Sequence, residues 1–165
     1  MRRPSAAEVI DLLGLEPLAG EGGFYRRTWA SPSFAADGSH REAGSAIYFL
    51  VTAEPEGFSA LHRLKTDELY HFYAGDAVEL HLIDAAGRHE THILGADLAD
   101  GQRPQRLAPA GVWQGSRLAP DGEWALLGTT MAPAFTAGEF ELASRAALLS
   151  LYPALADIIA RLTRE

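Results

Sequence analysis

Short apolar runs separated by turn residues fill most of the chain between Phe24 and Met131. Each run has the length of a β-strand, and the segments between runs are rich in Gly, Pro and Asp. No segment between them is long enough for a crossover helix, which argues against a parallel sheet. The pattern predicts an antiparallel sandwich or barrel. The predicted strands are Ala46–Thr52, Ser59–Leu64, Leu69–Ala74, Ala77–Asp84, Glu90–Leu94, Gln105–Leu107, Val112–Gln114 and Trp124–Met131.

Helices are predicted only at the two ends of the chain. Ser5-Ala6-Ala7-Glu8 has capping-box spacing, and Gly14 supplies the stop of a short amphipathic helix. Near the other end, Ser144 can cap a helix through Leu149, and Pro153 fits the first turn of a second helix. That last helix carries an apolar stripe typical of packing against the strands. The stripe consists of Leu155, Ile158, Ile159 and Leu162.

The composition narrows the class of protein. The 165 residues show no repeat or linker, so we expect residues 1–165 to form a single domain. The 14 basic residues are scattered and the net charge is −8, which disfavours a nucleic-acid partner. Absence of cysteine excludes disulfides and thiolate sites. The start is not followed by an apolar run, and no stretch reaches membrane-spanning length, so we expect a cytoplasmic protein without a membrane partner.

The residues best placed for chemistry are His62 and Glu68. His62 ends one predicted strand and Glu68 begins the next, so the turn between them can bring both side chains onto one face. An imidazole beside a carboxylate can ligate a divalent metal, or it can act as a general base with its orienting partner.

The spacing of these residues resembles the first cupin motif, which has a glycine, then His-x-His, a glutamate, and a glycine seven residues later. His62, Glu68 and Gly75 occupy three of those places, and Leu64 stands at the second histidine. The second motif, Pro-x-Gly-x-x-His, resembles residues 109–114, where glutamine replaces the histidine.

The motif comparison leaves a reduced set of metal ligands, namely His62, Glu68 and Gln114. One imidazole, one carboxylate and one amide oxygen make a poor site for zinc or iron. We therefore expect no resident metal and no cofactor.

A closer resemblance extends over nearly the whole chain. It is to a small cupin family of unknown function, the fifth cupin group. This resemblance implies a jelly-roll barrel similar to that of the dTDP-sugar epimerases, a homodimer, and a pocket for a small-molecule ligand. Ala19-Gly20 depart from the His-Pro that usually precedes Glu-Gly-Gly in this family. The matching segments are residues 21–26, 47–50, 62–63, 67–68, 71–76, 109–114, 131–135 and 140–142.

Alternation along the strand places Tyr70 and Phe72 on the same face as the motif glutamate. We expect both to line a ligand pocket together with Gln114. Arg26 or Arg63 is the expected partner of a negative charge developing on the substrate. Tyr25, Trp113 and Phe135 are further aromatic candidates for the pocket wall, or they belong to the core.

Other positions stay open. His71 falls on the face opposite the pocket and is a candidate interface residue. Along residues 79–83 two leucines alternate with a glutamate and a histidine, and the pattern does not decide which face lines the interior. The histidines expected at the surface are His40, His89 and His92.

Two functions fit these residues. The first is a metal-free isomerase or epimerase acting on a carbohydrate-like or carbonyl compound, with His62 taking a proton and Glu68 orienting or recharging it. The second is a barrel that binds a small ligand without chemistry. An enzyme predicts His62 and Glu68 within hydrogen-bond reach, whereas a pure binder predicts apolar walls and a histidine tied to the backbone. A metal-dependent cupin enzyme ranks third.

Overall fold

A computed structural model describes residues 2–164 of the chain, which form two antiparallel sheets that face each other. The eleven strands of the described residues are numbered in chain order. They are β1 (Glu16–Pro17), β2 (Phe24–Ala30), β3 (Ser45–Thr52), β4 (Ser59–Arg63), β5 (Glu68–Gly75), β6 (Val78–Ile83), β7 (His89–Leu94), β8 (Gln105–Ala108), β9 (Trp113–Leu118), β10 (Trp124–Met131) and β11 (Glu141–Leu142).

One sheet has the strand order β1-β2-β3-β10-β5-β8, and the other has the order β11-β4-β9-β6-β7. This arrangement confirms the predicted jelly roll, and every strand predicted from the sequence is present. The strands β1 and β11 escape prediction because two residues are too few to show alternation. The strand β2 escapes because most of its side chains are exposed.

The core lies between the two sheets. Phe49, Tyr70, Leu80 and Leu127 are among its fully buried side chains. The inward face of β6 is the leucine face, because Leu80 and Leu82 belong to this core. Glu79 and His81 therefore point to the outer side of the five-stranded sheet.

Helix α1 (Ala6–Leu13) has both halves of the predicted capping box, formed by Ser5 and Glu8. It ends at Gly14 in the left-handed conformation, with a φ of 60°. Its buried Val9 packs with Leu50 and Trp124 on the outer face of the six-stranded sheet.

The helices α2 (Arg145–Leu151) and α3 (Ala156–Leu162) cover the outer face of the other sheet. The Pro153 turn is a 3-10 helix (Pro153–Leu155) that leads into α3. Ile159 and Leu162 pack there against Leu61 and Ile83, as the apolar stripe predicts. Among the described residues, no helix has the length and apolar character needed to cross a membrane.

Helix α1 covers only part of the outer face of the six-stranded sheet. His71 and Tyr48 flank Gly128 on its outer face. Tyr73 stacks on His71 at 6.3 Å and meets Tyr48 edge-on at 6.1 Å. His71 thus faces away from the interior, as alternation predicts, and its Nε2 lies 3.1 Å from Thr130 Oγ1.

Candidate functional site

A cavity of about 410 Å³ opens between the two sheets. Its size is that of a small-molecule site. Most of its wall is hydrocarbon or aromatic, and its polar groups are few. The lining residues that carry the argument below are Glu21, Tyr25, Arg27, His62, Leu64, Glu68, Tyr70 and Phe135.

His62 lies in this cavity near the end of β4 and is 2% exposed. Its Nδ1 is 2.9 Å from the backbone oxygen of Ala60. A carbonyl oxygen only accepts, so Nδ1–H is the donor, and this bond fixes the ring orientation. The ring also stacks on Phe140 with a centroid distance of 5.2 Å. The second ring nitrogen, Nε2, lies 4.0 Å from Glu68 Oε2, which is longer than a hydrogen bond.

Glu68 begins β5 and is buried, with 7% of its surface exposed. The side-chain amide of Gln114 donates a 2.9 Å hydrogen bond to its Oε2. Gln114 on β9 is the cross-strand partner of His62, which explains why the two motif positions meet. Gln114 does not line the cavity itself. It lies behind Glu68 and supports that carboxylate through the hydrogen bond.

A second carboxylate, Glu21, lies on the other side of His62. Its Oε1 is 3.9 Å from His62 Nδ1 and accepts a 2.8 Å hydrogen bond from Ser59 Oγ. The backbone N–H of Ala60 donates to the Glu21 carbonyl at 2.8 Å, so the segment is fixed to β4. One imidazole therefore lies between two carboxylates.

The Gly22-Gly23 turn makes this approach possible. Gly22 has a φ of 98°, and a Cβ there would lie 2.5 Å from the backbone oxygen of Phe58. Only glycine allows the chain to come so close to β4. Glu21 was not among the predicted site residues, although Glu-Gly-Gly belongs to the motifs that carry the family resemblance. This motif was the feature of the sequence that could have identified Glu21 as a site residue.

The charges in the cavity influence one another. Burial lowers the pKa of His62, but the Glu21 carboxylate and then the Glu68 carboxylate more than offset it, so the pKa is raised to about 9. Burial raises the pKa of Glu21, although the charge of His62 opposes this. Burial, followed by the nearby Glu68 charge, places the pKa of Tyr70 well above its ordinary value.

The aromatic residues named from the sequence divide between cavity and core. Tyr70, Tyr25 and Phe135 line the cavity. Phe72 faces inward as alternation requires, but it packs into the core between the sheets and not into the cavity wall. Trp113 packs under the C-terminal helices, on the other side of its sheet.

Neither arginine proposed from the sequence lines the cavity. Arg26 pairs in register with Tyr48 and lies over its ring on the outer face of the six-stranded sheet. Arg63 forms an ion pair with Glu141 at 2.8 Å, outside the cavity. Side chains alternate between the two faces of a strand, so the prediction for Arg26 was wrong by one residue. The next residue, Arg27, is the one that faces the cavity.

Comparison with known proteins identifies the family. Residues 7–143 match the model of the family described as Cupin superfamily (DUF985). The chain belongs to this cupin family. No curated protein matches its sequence significantly. The match supports a cupin-fold, small-molecule-binding protein and points to no particular reaction.

Solved structures agree with this assignment. Protein SO0799 from Shewanella oneidensis is 41% identical, with a TM-score of 0.89 over 98% of this chain and 99% of that one. A hypothetical protein from Leishmania major is 31% identical, with a TM-score of 0.90 over 98% of this cupin and 100% of that chain. Oxalate decarboxylase from Bacillus subtilis, a protein with Mn(II) centres, shares only the fold. Its identity is 13% and its TM-score 0.53, over 90% of this chain and 37% of that one.

The residues present do not fit a cupin metal. Leu64 places hydrocarbon in the cavity where the motif has a second imidazole. Gln114 turns its N–H toward Glu68, so its amide oxygen points away and does not converge with the carboxylate on one point. Within residues 2–164, no cluster of three or more His, Cys, Asp or Glu side chains has the closeness of a metal site. No step below is assigned to a metal.

Proposed function

We propose that this cupin is an isomerase or epimerase that moves a proton at the carbon next to a carbonyl group of a small, carbohydrate-like substrate. One observation carries the proposal. A single imidazole lies between two buried carboxylates, at 3.9 Å from Glu21 and 4.0 Å from Glu68, in the wall of a cavity of ligand size. Titratable groups whose environments shift their pKa values are characteristic of proton-transfer sites.

His62 acts as the acid in this proposal, in contrast to the base role expected from the sequence. Its raised pKa keeps the ring protonated at neutral pH. Since Nδ1–H is committed to Ala60, Nε2–H is the donor available to a ligand. A donor held at this position polarises a carbonyl oxygen and stabilises the negative charge that develops there.

Glu21 is the group best suited to take the proton from carbon. Burial raises the pKa of Glu21, so its carboxylate is a stronger base than that of an exposed glutamate. The C–H bond breaks, the proton moves to the Glu21 carboxylate, and the electron pair moves onto the carbonyl oxygen held by His62. Isomerisation is completed when Glu21 returns the proton to the former carbonyl carbon, while the hydroxyl group of the α-carbon passes its proton to the oxygen held by His62 and becomes the new carbonyl group. Epimerisation is completed when a proton from water reaches the α-carbon from the face opposite Glu21, and Glu21 releases its own proton to water. The step consumes no co-reactant.

Glu68 keeps His62 charged and in place. Its carboxylate raises the pKa of His62, and its own position depends on the hydrogen bond from Gln114. Gln114, Glu68 and His62 thus form a row of buried polar groups beside an otherwise apolar cavity. The first two are hydrogen-bonded and the last two approach to 4.0 Å, and electrostatic interactions in such surroundings are strong.

A binding function without chemistry is the second candidate, and one observation favours it. His62 is tied to a backbone carbonyl at 2.9 Å, and its distance to Glu68 exceeds that of a hydrogen bond. These are features that the sequence analysis associates with a pure binder. The free Nε2 position and the two flanking carboxylates favour the enzyme, because a binder has no need of buried charge.

Proton exchange separates the two candidates. The protein is incubated in D₂O with a panel of aldoses, ketoses and simple hydroxycarbonyl compounds, and loss of the α-proton signal is followed by NMR. We expect exchange with at least one compound, and its rate should fall about 100-fold or more in the His62→Asn variant. His71→Asn serves as the matched control, because His71 lies on the outer face. A panel without any exchange, or equal rates in both variants, contradicts catalysis.

A further inference from the structure

We propose that the cavity takes an uncharged, unphosphorylated hydroxycarbonyl compound and discriminates against anionic substrates. This inference rests on the proposed function for the carbonyl group, whereas the charge preference follows from the cavity wall alone. It distinguishes this protein from enzymes that act on phosphorylated or nucleotide-linked sugars.

The cavity wall offers little positive charge. Arg27 is the one lysine or arginine among the described residues that line the cavity. Its guanidinium is in direct contact with the carboxylate of Glu42, so its charge is already matched. A phosphate group in a protein site needs charged or N–H donors that are free to receive it.

Two other basic side chains near the cavity also have partners. Arg41 forms an ion pair with Glu139 at 2.9 Å. Lys65 donates to the backbone oxygen of Gly138 at 3.3 Å. Both cations are therefore held by the segment from Ala137 to Phe140, whose two end residues line the cavity, and neither cation lines the cavity itself.

The innermost polar groups of the cavity include two acidic side chains. Glu21 and Glu68 share one imidazole, so the innermost polar groups carry no surplus of positive charge at neutral pH. The neighbouring walls are apolar, which limits screening by water. An anionic ligand would lose its hydration there, and the donor that it would meet, the His62 ring, is already flanked by two carboxylates, so the costly loss is only partly offset.

Hydroxyl groups are what the wall can recognise instead. Tyr25, Ser45, Tyr70 and Thr129 line the cavity together with the carboxylates. Hydroxyls and carboxylates pair well with the hydroxyl groups of a polyol, because each can accept a hydrogen bond. The resemblance to dTDP-sugar epimerases therefore does not extend to the diphosphate part of their substrates.

Matched pairs of probes test this inference. The pairs are dihydroxyacetone and its phosphate, D-glyceraldehyde and its 3-phosphate, and D-fructose and its 6-phosphate. Binding is measured from the shift of the His62 ring signals in NMR titrations, independently of α-proton exchange. We expect an uncharged member to bind at least about tenfold more tightly than its phosphate. Equal or tighter binding of the phosphates overturns the inference, as does failure of every probe to perturb His62.

The two proposals fail in different ways. If uncharged probes bind but no α-proton exchanges, catalysis is contradicted and the charge preference stands. If α-protons exchange but the phosphates bind equally well or better, the charge preference is contradicted and catalysis stands.

A gain of binding tests the role of Arg27. Glu42→Gln removes its partner, and we expect the affinity for the phosphorylated probes to rise about tenfold. Glu141→Gln is the matched control, because it frees Arg63, which does not line the cavity. An unchanged affinity for phosphates in Glu42→Gln, or an equal gain in both variants, overturns the argument from the Arg27–Glu42 pair.

Discussion

Gln114 donates a hydrogen bond from its side-chain amide to Glu68 Oε2 at 2.9 Å, and both side chains are buried. The amide that replaces the motif histidine thus supports the carboxylate beside His62. Loss of this donor leaves a largely buried carboxylate oxygen short of one hydrogen bond, which costs stability.

Removal of this donor should destabilise the protein. We expect Gln114→Leu to lower the free energy of unfolding by about 1–3 kcal/mol in urea denaturation, because the buried Glu68 loses the hydrogen bond that Gln114 donates. Gln105→Leu removes an amide that contacts His71 at an exposed position, and its effect should stay below about 0.5 kcal/mol. Similar losses in the two variants would show that the buried pair contributes nothing special.

The motif glycine Gly75 should not tolerate a side chain. Its φ is 101°, and a Cβ would lie 2.4 Å from the backbone oxygen of Trp124. Gly75→Ala should therefore lower the free energy of unfolding by about 2–4 kcal/mol. At Gly138 a Cβ meets no atom within 4 Å, so Gly138→Ala is the matched control and should be nearly neutral. Thermal denaturation of both variants measures the difference.

The neighbouring histidines His81 and His89 should make the protein less stable in acid. His81 Nδ1 lies 3.0 Å from His89 Nε2, so one hydrogen lies between the two rings. The groups facing His81 are Glu79 on its own strand, His89 and Thr91 on β7, and Arg161 on α3. Burial is the largest of the causes that lower the pKa of His81 to about 4.

The sign of the effect follows from this direction. The folded state binds fewer protons than the unfolded state between the ordinary histidine pKa of 6.5 and the lowered value. Stability contributed by neutral His81 is complete above that range and is lost as the pH falls through it. We expect His81→Gln to flatten the urea midpoint between pH 6.5 and 4 relative to wild type. Parallel pH profiles of wild type and variant would contradict a buried neutral His81.

We expect the protein to be a homodimer. Tyr73, on the same strand as His71, is 52% exposed, and Leu107, on the neighbouring strand β8, is 44% exposed. Light scattering at micromolar concentration should give twice the chain mass, and Tyr73→Glu should shift the species toward monomer. Leu151→Glu, an exposed apolar position on the distant helix α2, should leave the mass unchanged. A monomer mass for the wild type contradicts this prediction.

The sequence predicted eight of the eleven strands, because each of these eight contains an apolar run bounded by turn residues. Trp124–Met131 is predicted and observed with the same ends, since it is apolar and bounded by turn residues. The capping box of Ser5 and Glu8 is equally explicit in the chain. Local rules decide both features.

The site was only partly predictable, because it depends on contacts between distant segments. His62 and Glu68 follow from motif spacing. Glu21 precedes them by about 40 residues in the chain, and only the close approach of its turn to β4 brings it to the ring. Arg27 was not predicted, because its position in the cavity wall depends on the register of β2, which charged and exposed residues do not reveal.

Direct titration of the His62 ring tests the central claim, a histidine held charged between two carboxylates. The ring nitrogens are followed by NMR from pH 5 to 10, with the His62→Asn spectrum assigning the signals among the six histidines of the chain. We expect a pKa of about 9 in the wild type. The variant with both Glu21→Gln and Glu68→Gln should titrate far lower, because burial alone lowers the value. A wild-type pKa at or below the ordinary 6.5, or one that the double variant leaves unchanged, would contradict the account.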